Sequence, residues 1–123
     1  MNNEQKHQAI LDILRDVPEY EQGHHLLKPF LSAYQIAIKF AERFPNDPDV
    51  RRLSVGGSGI GENNSLAKSL AKFLSQLIKK GCTQIEGGFI SHENLEQMTF
   101  SPDINVSTLN SKQGHSIFRY VGE

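Results

Sequence analysis

The side chains best suited by type and spacing to do chemistry lie on one stretch. Between Asn63 and Ile85 every charged residue is a lysine: Lys68, Lys72, Lys79 and Lys80. If each residue is turned by about 100° from the last, Ser65, Lys68, Ser69, Lys72, Ser75, Gln76, Lys79 and Lys80 share one side of a helix. Leu66, Leu70, Phe73, Leu74, Leu77 and Ile78, with Ala67 and Ala71 beside them, share the other. That is the apolar spacing of a helix packed on a core. The chemistry such a wet face offers is attraction of an anion, with hydroxyl and amide groups to hydrogen-bond it. A solvated face usually mixes signs, because Glu and Lys at i, i+4 support each other; this one has no acid. Lysines also serve plain solubility, and Lys79 and Lys80 are accounted for by the negative C-terminal dipole of the helix. Lys68 and Lys72 are therefore the informative pair.

Ahead of this run stands Gly56-Gly57-Ser58-Gly59-Ile60-Gly61. Small residues before a helix let backbone N–H groups converge on a phosphate or nucleotide, so the Gly56–Gly61 loop is a third place to look for a ligand. It departs from known cradles. Glu62-Asn63 stands where a P-loop needs Gly-Lys-Ser/Thr, and G-x-G-x-G replaces G-x-G-x-x-G. Other chemistries are thinly supplied. The histidines His7, His24, His25, His92 and His115 are scattered, and with the single Cys82 they give no zinc-ligand spacing. Cys82 reads as a small buried thiol. There is no G-x-S-x-G elbow and no compact acidic cluster. The balance points away from an enzyme, and no cofactor is implied.

Several elements must position these groups. The 123 residues suit one domain of 1–123, long enough for a core without disulfides. Net charge is -1, so any nucleic-acid surface must be a local patch. No apolar run spans a bilayer and Met1 to Lys6 is too polar for a signal peptide, which leads us to expect a cytoplasmic protein with no membrane partner. Ala9, Ile10, Ile13, Leu14 and Val17 predict a first helix over about Glu4 to Val17, closed by Pro18. Phe30 to Phe44, entered through Pro29, predicts a second, enclosed on most sides. Pro45-Asn46-Asp47-Pro48 reads as a turn, and Asp49 to Val55 as either a short strand or an irregular cover carrying Arg51 and Arg52. Ser65 to Lys80 is the third helix, with Asn63, Asn64 or Ser65 as its cap and Gly81 after its end. Cys82 to Ser91 reads as a strand, and Glu93 to Phe100 as a helical turn or an edge strand. Ile104 to Leu109 and His115 to Val121, joined by Asn110 to Gly114, predict a C-terminal hairpin. The fold class is α+β: three main helices, then a small antiparallel sheet.

This order resembles a winged helix-turn-helix domain. Phe30-Leu31-Ser32-Ala33-Tyr34-Gln35-Ile36-Ala37 is similar to the entry of such a domain's second helix, where a Ser or Thr starts the helix and an Ile-Ala pair packs inside. Ser65-Leu66-Ala67-Lys68-Ser69-Leu70 through Leu77-Ile78-Lys79-Lys80-Gly81 resembles a recognition helix running into the glycine before a wing. The resemblance implies that the polar lysine face of helix 64–80 enters duplex DNA, with Ser65, Lys68, Ser69 and Lys72 against it, and that Lys112 and His115 sit at or beside the wing tip. Arg51, Arg52 and Gln76 would add to that surface. One departure is the gap from Phe44 to Ser65, about twenty residues against the usual few. The expected function is a small DNA-binding regulatory module, acting as a dimer. The alternative is a non-enzymatic interaction domain using the hairpin edge or Phe118 and Tyr120 against a protein partner.

Overall fold

A computed structural model describes residues 1–56, 65–102, 104–107 and 115–122. The chain is α+β. Helix α1 spans Asn3–Arg15, strand β1 Leu31–Ser32, α2 Ala33–Arg43, α3 Pro48–Arg52 and α4 Leu66–Lys79. Strands β2 Ile85–Ile90, β3 Gln97–Phe100, β4 Ile104–Ser107 and β5 His115–Tyr120 complete it.

Local chemistry accounts for the helix ends. Asn2 caps α1 in a reciprocal box with Gln5, and Ser32 does the same for α2 with Gln35. The second helix therefore begins three residues later than Pro29 suggests. Leu31 and Ser32 pair with Phe118 and Ile117 of β5, so the chain is extended there and Ser32 passes from strand to cap. The segment after Asp47 is helical as far as Arg52, and only then comes the bridge at Ser54. Asp47 accepts hydrogen bonds from the amides of Asp49 and Val50, Pro48 sits in the first turn, and a short helix follows. That helix occupies part of the long gap before α4.

Ile10, Ile13 and Leu14 from α1, Ile36 and Phe40 from α2, and Leu66, Leu70 and Leu74 from α4 are the largest fully buried side chains among the described residues. Burying each is worth about 1.5–3 kcal/mol, so the three long helices share one core. The sheet closes it through Leu31, Ile85 and Phe118.

The C-terminal hairpin differs from the sequence expectation. Strand β5 pairs not with β4 but with β1 on one side and β2 on the other, all antiparallel, in the order β1-β5-β2. Strand β4 instead pairs with β3, with Met98 opposite Val106. Gly87 lies opposite Phe118. A Cβ at Gly87 would lie 3.0 Å from Ile78 Cδ1 and 3.2 Å from the Phe118 ring, so glycine there lets Phe118 and Ile78 pack closely without either side chain giving way. Glu86 opposite Arg119 adds an ion pair at 2.9 Å. Phe118 is consequently core, and Tyr120 is packed against it; neither forms the partner surface the sequence suggested.

Candidate nucleic-acid interface

The cationic face depends on how α4 begins. Ser54 and Ser65 form a parallel bridge. The Leu66 amide donates to Ser54 O at 2.7 Å and that of Ala67 to Val55 O at 2.9 Å. The Lys68 amide donates to Ser65 Oγ at 3.1 Å. The orphan donors of the first turn are thus taken by the protein itself. This removes the helix half of the phosphate cradle anticipated at Gly56–Gly61; Gly57 to Gly61 lie outside the described residues. Gly56 is described, and its φ of +132° is a conformation L side chains rarely adopt. A Cβ there would stand 3.1 Å from Tyr34 Cε1 and 3.2 Å from Ser65 Cβ. Gly56 is therefore the close approach that seats the start of α4 against α2.

From this anchored start the helix presents Lys68, Lys72, Ser75, Gln76, Lys79 and Lys80 to solvent, with Ser69 half-buried. Lys72 makes no ion pair among the described residues. Ser65, expected among the contacting residues, is only 8% exposed and its hydroxyl is committed to the cap. Gln76 and Lys80 stand on the flank. With Asn3, Glu4, His7, Phe73 and Leu77 they line a cleft of about 220 Å³ between α4 and the first turn of α1.

The neighbouring arginines divide. Arg51 is exposed, whereas Arg52 hydrogen-bonds Asp49 at 3.0 Å. That hydrogen bond, helped by Lys6 at 3.8 Å, holds the Asp49 carboxyl below its usual range. Arg51 is the better placed of the two to meet an outside anion. Lys112 lies outside the described residues. His115 opens β5 opposite Ile90 and is half-buried, its ring 6.1 Å from that of Tyr34, which in turn stacks on Phe100 at 5.8 Å. Burial first, then the charge of His92, lowers its pKa, and its Nε2 is enclosed with no partner among the described residues. Half-buried in an aromatic cluster and with its pKa lowered, it is poorly suited to attract a phosphate beside the wing tip, where the resemblance put it.

Several contacts have no sequence signal. Arg119 donates to the carbonyls of Leu26 and Lys28, pairs with Glu86 and lies over the Phe30 ring at 4.4 Å. It ties the loop before β1 to the sheet. Cys82 is half-buried rather than buried, and its Sγ lies 3.9 Å from His7 Nε2. No third group among the described residues orients that imidazole, as an activated pair would require. Among the described residues no three His, Cys, Asp or Glu side chains converge as metal ligands.

Comparison with known proteins returned no matching family model, no matching curated protein and no matching solved structure.

Proposed function

We propose that this chain is a small DNA-binding regulatory module of winged-helix-like layout, contacting duplex DNA through the lysine face of α4. The observation that carries this reading is the exposed face of α4: three lysines and no acid, with Lys80 at the C-cap, on a helix whose start is locked by its own cap. The order of elements supports it. A helix, a short strand, two further long helices and a sheet in the order β1-β5-β2 leave α4 open to solvent along one side. The β3–β4 ribbon, inserted between β2 and β5, takes the place of a wing. Lys72, Lys79 and Arg51 attract phosphates, while Ser69 and Gln76 hydrogen-bond to phosphates or bases. No helix among the described residues is long and apolar enough to cross a membrane, and a cytoplasmic setting fits this reading.

The test is fluorescence anisotropy with a labelled duplex across a salt series. Neutralising about three phosphates predicts a slope of log K against log salt of roughly -3, since each contributes about -0.9. Lys72→Glu should weaken binding at least tenfold at low salt. Affinity indifferent to both salt and this change rejects the proposal.

A second reading is favoured by one observation. Phe89, on the edge strand β2, is 61% exposed, and Ile90 beside it is also exposed. An open strand edge with apolar side chains pairs with other chains, so a protein partner or a second copy belongs there. Co-purification of a stoichiometric partner by the parent, and its loss in Phe89→Lys, would support this role.

A further inference from the structure

We infer that α4 holds duplex DNA by its phosphates and does not read its sequence, so that the module binds unrelated duplexes with similar affinity. This rests on the DNA-binding reading above.

Sequence is read by side chains that offer two hydrogen bonds in a fixed fork to a base edge, chiefly Arg to guanine and Asn or Gln to adenine. A helix lying in the major groove makes these contacts from its N-terminal half. The N-terminal half of α4 contains none of these side chains. Ser65 has spent its hydroxyl on the cap and is buried; the outward residues that follow are Lys68, Ser69 and Lys72. A lysine ammonium is a point charge without a fork, and a serine hydroxyl bonds to any base. The first forked group on the helix is Gln76. It comes ten residues after Leu66, about 15 Å along the axis at 1.5 Å per residue. It is also turned by about 80° from Lys68 and lines the cleft beside Asn3, Glu4 and His7. Of the nearby arginines, Arg52 is engaged by Asp49, and Arg51 projects from α3 rather than from the helix that would fill the groove. Charge is thus abundant on α4 where base-reading geometry is absent.

The experiment measures dissociation constants for three duplexes of equal length, one A·T-rich, one G·C-rich and one mixed, across the same salt series. The parent, Lys72→Ala, Lys79→Ala and Gln76→Ala are compared, each shown to be folded by its melting curve. All three duplexes should bind within about tenfold of one another at a given salt. Each lysine variant should weaken all three by a similar factor and make the salt slope shallower by about one. Gln76→Ala should leave the ratios between duplexes unchanged. A preference beyond tenfold among the duplexes, or a ratio that Gln76→Ala shifts by more than about threefold, overturns the inference while leaving DNA binding in place. Failure of every duplex to bind at low salt instead rejects the reading beneath it, and the inference falls with it.

Discussion

Gly56→Ala should destabilise the protein well beyond an ordinary surface substitution, and the cost can be assembled from the structure. The backbone at Gly56 has φ +132°, a region outside the left-handed helix well, where a residue with a side chain is strained by about 1–3 kcal/mol. The new methyl would also stand 3.1 Å from Tyr34 Cε1 and 3.2 Å from Ser65 Cβ. Neither neighbour yields freely: Ser65 is held by its bridge and cap, and the Tyr34 ring is stacked on Phe100. Overpacking of this kind adds about 1–3 kcal/mol. Against this, alanine restricts the unfolded chain and returns about 0.4–1 kcal/mol. The net expectation is a loss of about 3 kcal/mol, combining backbone strain and overpacking.

Gly23→Ala separates the two contributions. Gly23 also has positive φ, at +77°, but a Cβ there meets nothing within 4 Å, so its net cost should stay near or below about 1 kcal/mol. Urea unfolding followed by circular dichroism reads the difference. With a slope of about 2 kcal/mol per molar, Gly56→Ala should unfold roughly 1 M earlier than Gly23→Ala. Coincident midpoints would show that Gly56 is not the close approach described, and that α4 does not depend on it for its seat.

Three further outcomes follow from other contacts. Ser32→Ala removes the buried hydroxyl that caps α2 and should cost about 1–2 kcal/mol, seen as an earlier urea midpoint, with Ser32→Asn recovering part of it. Arg119→Lys should recover less than half of the stability lost in Arg119→Ala, because an ammonium cannot reach two carbonyls and Glu86 together; limited proteolysis should meanwhile cut the loop before β1 faster in both. His115 is held below its ordinary value of 6.5, so the unfolded chain binds its proton more readily than the folded one. Its contribution is therefore complete above about pH 6.5 and is lost as pH falls through the lowered value. The drop in urea midpoint between about pH 7.5 and 5 should be smaller in His115→Gln than in the parent, and an equal drop would refute the burial argument.

Helices α1 and α4 could be read from sequence because their apolar residues recur with the period of the structure they form; Ile10, Ile13 and Leu14, or Leu66, Leu70 and Leu74, end up buried together. The solvent side of α4 follows from the same geometry, which is why the exposure of Lys72 is legible in the spacing alone. A strand as short as Leu31–Ser32 has no period to detect; only its pairing with β5 creates it. The partner of β5 was equally hidden. Proximity along the chain favours the preceding segment, whereas Gly87, Phe118 and Ile78, which pack closely together, come from three different elements. Ser65, one of three candidate caps in the sequence, is the cap, and it is buried beside its bridge to Ser54 rather than at the surface. For His115, spacing gave no hint of Tyr34, and its charge state was decided by that neighbourhood.

Gly56 and Ser65 nearly touch, with the hydrogen bonds of Ser54 and Val55 to Leu66 and Ala67 pinning both ends. The segment 54–56 and the start of α4 thus form one clasp. Breaking either side of it, for example by Ala67→Pro, which removes the donating amide, should therefore loosen the other side as well, so the seat of the lysine helix holds or fails as one unit.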